Sequence, residues 1–134
     1  MIVLAKISRD IQLPLEWFVA PSKDREREYV TGGNKKSGGI QRFKLGLHGA
    51  HQEQAAILAY IQSGLPDAWL TQVNAWIDAE TTTPSASGER WTSDEKLINF
   101  AEDSVRRTGQ ASSEHARDNS ISDKILIKHL WIVM

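Results

Sequence analysis

Hydrophobic positions along this chain change period several times, and each change marks a boundary between predicted elements. Residues 40–47 read Ile-Gln-Arg-Phe-Lys-Leu-Gly-Leu. Phe43, Leu45 and Leu47 fall on one side and Arg42, Lys44 and Gly46 on the other, so a period of two predicts a strand with one apolar face and one wet, basic face. Over 51–63 the period becomes helical: Ile57, Leu58 and Ile61, with Gln54 and Ala55 a turn earlier, form one stripe, and Gly64 closes it. Pro66 in the first turn and Asp67 beside it open a second helix over 67–79. Its Trp69, Leu70, Val73, Trp76 and Ile77 make it strongly amphipathic. A third helix starts at Thr92, whose spacing to Glu95 matches a capping box, and its stripe of Leu97, Ile98, Ala101 and Val105 runs to Arg107, before Gly109.

The flanks are simpler. The opening MIVLAKI is rich in β-branched residues and predicts a strand; 11–20 predicts another, confined to an edge by Pro14. The apolar run 125–134 predicts a buried strand, with the N-terminal strand as its natural partner. The alternating charges of 23–28 read as a solvated face or turn, 31–39 as a flexible basic loop, 81–88 as a linker, and 110–122 as a weak helix or an exposed loop. Together these predict an α+β domain with a small antiparallel sheet and about three amphipathic helices. Its segments would be 1–39 (strands and basic loop), 40–80 (strand-helix-helix), 81–90 (linker) and 91–134 (helix and C-terminal strand).

At 134 residues, 40% hydrophobic and 25% charged, the chain has the make-up of one packed domain. It contains no Cys, which excludes disulfides, thiolate metal sites and cysteine nucleophiles and fits a reducing compartment. No apolar run reaches the roughly 18 to 20 residues of a membrane span, and Lys6 and Arg9 come too early for a secretory signal. A cytoplasmic protein, with no membrane partner, is expected. The net charge of −1 hides a segregation: residues 1–50 hold nine Lys/Arg and five Asp/Glu, residues 51–100 hold two and seven, and residues 101–134 hold five of each. A basic front and an acidic middle can attract each other or serve different partners.

The strand 40–47, the helix 51–63, the turn Gly64-Leu65-Pro66 and the helix 67–79 resemble a ribbon-helix-helix unit, as in small repressors and plasmid-partition proteins. The resemblance covers about 40 residues. It implies a homodimer whose paired strands enter the major groove of double-stranded DNA. On this sequence Arg42 and Lys44 would then face guanine edges, Phe43, Leu45 and Leu47 would seal the dimer, and Lys35 and Lys36 would hold phosphates. The start of the second helix departs from the family: Leu65-Pro66-Asp67 brings no proline amide and a negative charge where a phosphate would sit.

A second class of function also fits. Five Trp residues, segregated charge and no recognisable catalytic set suit a protein-binding inhibitor or adaptor, of the kind a phage or plasmid directs at a host complex. Other candidate chemistry is thinner. Residues 32–39 lack the Gly-Lys-Ser order and following helix of a phosphate loop. His48, His51 and Glu53 lack a fuller ligand set, and Ser113, His115 and Asp118 lie in a polar segment without a nucleophile elbow. Neither catalysis nor a metal or other cofactor is expected.

Overall fold

The computed structural model describes residues 2–6, 16–19, 23–85, 87–117 and 123–134, with side chains from residue 26 onward. Its strands are β1 (Ile2–Lys6), β2 (Glu16–Val19), β3 (Gln54–Ile61), β4 (Ile98–Asp103), β5 (Thr108–Ala116) and β6 (Lys124–Val133). They form one sheet in the order β2-β1-β3-β6-β5-β4. The β3–β6 pair is parallel and the others are antiparallel, so the sheet is mixed. Among the described residues there are two α-helices, α1 (Gly39–Lys44) and α2 (Pro66–Thr82), with 3-10 turns at Lys23–Tyr29, Gly33–Lys35 and Ser93–Glu95. The α+β class is as expected; the antiparallel sheet and the third helix are not.

One face of the sheet carries the core. Ala55, Ile57, Ala59 and Ile61 of β3 alternate inward beside Ile125, Ile127, His129 and Trp131 of β6, and Ala111, Ser113 and His115 of β5 continue that face. Val73 and Ile77 of α2, Ile40 and Phe43 of α1, and Tyr29, Val30, Trp91 and Leu97 cover it. Each fully buried Ile or Val contributes roughly 1.5–3 kcal/mol. Asn74 acts as an extra backbone unit between α2 and the approach to β4: its amide nitrogen donates to the Leu97 carbonyl at 3.2 Å and its oxygen accepts from the Leu97 amide at 2.8 Å. Gly109 lets α2 approach β5, because a Cβ there would lie 2.6 Å from that of Pro66.

Several expectations give way to competing periodicities. The segment 40–47 is not a strand: α1 occupies 39–44 and a turn follows. Ile40, Gln41, Phe43 and Lys44 are all buried, which is the i, i+1, i+3, i+4 face of a helix, whereas Leu47 is exposed. Gly38 and Gly39 make this packing possible, since side chains there would run into the backbone of Tyr29–Thr31. The expected helix 51–63 is β3, whose burial alternates residue by residue. With 40–47 helical and 51–63 extended, no ribbon-helix-helix unit forms within 40–80.

Downstream, the Thr92–Glu95 capping box exists, with the Thr92 amide donating to Glu95 Oε2 at 2.7 Å, but it caps a single 3-10 turn. Leu97 then turns inward while Ile98 and Val105 stay in solvent, and Asn99 and Arg107 adopt positive φ, so no helical stripe is buried there. Residues 110–116 belong to β5 rather than to a weak helix or an exposed loop. The C-terminal strand forms as expected, but it lies between β3 and β5; β1 pairs with β2 and β3 instead. Helix 67–79 is present within α2.

Candidate functional site

Two cations of the front half reach back onto the acidic middle. Arg27 pairs with Glu80 at 2.9 Å, and Lys44 Nζ pairs with Glu95 while also donating to the Ala116 carbonyl at 3.1 Å. Lys44 is only 3% exposed and lies 4.7 Å over the Trp91 ring. It does not stand on a wet strand face, so the expected pairing of Arg42 and Lys44 as base readers is not what the fold presents. The Arg42 guanidinium donates to His48 Nε2 at 3.0 Å, leaving that imidazole nitrogen as an acceptor. Lys35 and Lys36 are exposed, Lys36 in the left-handed conformation at φ 55°.

Behind Lys44 runs a chain of buried hydrogen bonds. Glu95 Oε1 meets His115 Nδ1 at 3.1 Å, and His115 Nε2 meets Ser113 Oγ at 2.6 Å. Ser113 Oγ also meets His129 Nε2 at 2.7 Å; His129 Nδ1 meets the Tyr29 hydroxyl at 2.5 Å, and Trp131 Nε1 donates to that hydroxyl at 3.1 Å. Alternation along β5 places Ser113 and His115 inward together, and β6 supplies His129 and Trp131 from the same face. The segment expected to be polar and exposed therefore lines a core.

Burial pushes the Tyr29 hydroxyl far up and the His129 imidazole down to about 3, the latter helped by repulsion from His115. Burial also lowers His115, against the pull of Glu95. For Glu95, burial acts upward, but the hydrogen bonds from His115 and Lys44 and the Lys44 charge outweigh it and hold the carboxyl below its ordinary value. Lys44–Glu95 is thus an ion pair, and both histidines are neutral at pH 7.

Glu95, His115 and Ser113 follow the order of an acid-base-nucleophile triad, a relationship that sequence spacing alone did not show because Glu95 replaces Asp118, which lies outside the described residues. Ser113 is 1% exposed, however, and its hydroxyl is shared by two imidazoles, so no substrate carbonyl can reach it in this arrangement.

Gln41 is the second organising residue, and sequence reading missed it. Fully buried, it accepts at Oε1 from the Gly32 and Gly38 amides at 2.9 and 3.1 Å. Its Nε2 faces the Gly33 carbonyl, Ser87 Oγ and Glu89 Oε1 at 2.9, 3.1 and 2.9 Å. The basic loop and the expected linker are thereby fastened to each other. Between them opens a cavity of about 190 Å³, whose polar walls are Lys36, Lys44, Ser87, Glu89 and Arg90. Of the nucleic-acid candidates, this brings Lys36 and Lys44 to one place and leaves out Lys35 and Arg42.

One of the two edges of the sheet is a separate surface among the described residues. β4 pairs with β5 on one side and ends the strand order on the other. Ile98 is 59% exposed and Val105, in the turn that follows, is 91% exposed, with Glu102 and Asp103 exposed between them. His51 and Glu53 are also exposed, and no group of three or more potential metal ligands occurs among the described residues. Among the described residues no helix is long and apolar enough to cross a membrane. Trp131 and Trp91 are buried, Trp69 and Trp76 pack half-buried against the core, and the Trp17 side chain lies outside the described residues.

The fold defines an α+β protein built on a six-stranded mixed sheet. No protein-family model, curated protein or solved structure matches the chain.

Proposed function

We propose that this protein is a small protein-binding inhibitor or adaptor, of the kind a phage or plasmid encodes, acting in the cytoplasm on a host protein complex and without catalysis. The observation that carries this reading is the outer edge of β4. A sheet edge offers unpaired amides and carbonyls to an incoming extended segment. Here the edge is bracketed by Ile98 and Val105 and carries Glu102 and Asp103. A partner strand that places apolar residues against the first pair and Lys or Arg against the second would be complementary.

The alternative, a DNA-binding homodimer, draws on Lys35 and Lys36 for phosphate contact, while Lys44 is committed to Glu95. Solution mass and recovery from host lysate separate the two. The inhibitor reading expects one protein complex retained at high salt and lost from an Ile98→Glu/Val105→Glu variant that still melts like the parent. Recovery of nucleic acid alone, or a double variant that retains the same complex undiminished, would overturn it.

A further inference from the structure

The cavity between the basic loop and residues 87–90 has one wall residue, Glu89, whose bonding is unfinished. Glu89 is 7% exposed; its Oε1 accepts from Gln41, but its Oε2 is buried without a hydrogen-bond partner. The other three unpartnered buried side-chain atoms among the described residues, Ser37 Oγ, Trp91 Nε1 and Arg117 Nε, belong to residues next in the chain to Lys36, Arg90 and Ala116 of the cavity lining. A buried carboxylate oxygen is an acceptor only, and leaving it unpaired costs more than leaving a neutral group unpaired. It calls for a donor, preferably a cationic one.

The rim has the opposite character. Lys36 and Arg90 are both exposed and both line the cavity. Lys44 reaches the same wall, but its charge is already matched by Glu95. The cavity therefore offers one interior anion and two rim cations. Its volume of about 190 Å³ holds roughly six waters at about 30 Å³ each, the bulk of a small organic molecule. Leu45, Gly88 and Ala116 complete the wall.

We infer that this cavity binds a small α-amino acid, with the ammonium group on Glu89 and the carboxylate held by Arg90 and Lys36. A simple anion would satisfy the rim and leave Glu89 unpaired, whereas a simple amine would meet Glu89 beside uncompensated cations. A molecule carrying both charges a few bonds apart satisfies both. This site is distinct from the β4 edge, and its test does not depend on the partner-binding reading.

The test is calorimetric titration of the full chain with glycine, L-alanine and L-serine, and with acetate, methylammonium and inorganic phosphate as single-charge probes. At least one of the amino acids should bind saturably and raise the melting temperature, with every single-charge probe weaker by about tenfold or more. Glu89→Gln should weaken that amino acid by about tenfold or more, and Arg90→Ala, at an exposed position, by several-fold. If Glu89→Gln does not fold, the Lys36→Ala/Arg90→Ala double variant decides, and it should lose the saturable signal. No saturable binding of any of the three amino acids, equal binding of acetate, methylammonium or phosphate, or variants that bind as well as the parent would overturn the inference.

Discussion

His115 and His129 share a single hydroxyl: both imidazoles present Nε2 to Ser113 Oγ, at 2.6 and 2.7 Å. Ser113 has one proton to give, so the two histidines cannot play the same role. The ends of the chain decide which is which. The Glu95 carboxylate can only accept, so His115 carries its proton on Nδ1 and must accept at Nε2 from Ser113. Ser113 then accepts from His129 Nε2–H, His129 Nδ1 accepts from Tyr29 O–H, and Tyr29 accepts from Trp131, which can only donate. Every donor points the same way, from Trp131 towards Glu95.

This polarity predicts two different tautomers in one core, Nδ1–H for His115 and Nε2–H for His129, readable from imidazole nitrogen shifts by NMR. Ser113→Ala removes the shared hydroxyl and leaves a buried donor and a buried acceptor unpaired, at a cost of roughly 2–4 kcal/mol by urea unfolding. Its neighbour Ser112 faces the other side of the sheet and meets Asn99 only at 3.4 Å, so Ser112→Ala should cost less than about 1 kcal/mol. Equal losses for the two would contradict the chain as described.

The same chain makes the protein acid-labile. Both imidazoles are neutral in the fold, and His129 resists protonation down to about 3, whereas an unfolded histidine takes its proton near its ordinary value of about 6.5. Between those values the unfolded state holds more protons, so stability rises with pH and is lost as pH falls. The depressed carboxyl of Glu95 acts in the same sense: its stabilisation is present above the unfolded carboxyl value and disappears as pH falls through the folded one. The interval from pH 6.5 to 5 lies above the ordinary carboxylate range, which isolates the histidines. Urea unfolding across it should show a loss on the order of 2 kcal/mol from His129 alone. A flat profile would count against a neutral buried His129.

Lys44 and Glu95 provide a third test, because both are nearly sealed from water. Lys44→Ala strands a buried carboxylate and should cost about 3–5 kcal/mol. Pairing Lys44→Met with Glu95→Gln removes both charges, so the double variant should be clearly more stable than the sum of the single losses allows. Additive losses in thermal or urea unfolding would mean that the two side chains do not depend on each other.

Much of the local grammar was legible in the sequence. Pro66 and Asp67 marked the start of α2, the Thr92–Glu95 spacing identified a real cap, and the β-branched ends became strands. Short apolar runs were where the reading failed. Ile57 and Ile61 are four apart, which suits a helix face, and an even number apart, which suits a strand face. The neighbours broke the tie: flanked by β1 and β6, the segment could complete its backbone hydrogen bonds as a central strand. At 40–47, alternation was present, but Gly38 and Gly39 allowed a close helical approach that buries Gln41 and Lys44.

The sequence by itself determined the α+β class, the position of the long helix, the terminal strands and the segregation of charge. Only the tertiary structure decided what that charge is for. Lys44 reads as a surface cation until Glu95, 51 positions away, removes it from water. Ser113 and His115 read as a polar surface until His129 and Tyr29 arrive from other elements to satisfy them. A polar side chain's environment depends on which distant donors and acceptors meet it, and a local pattern contains no record of those meetings.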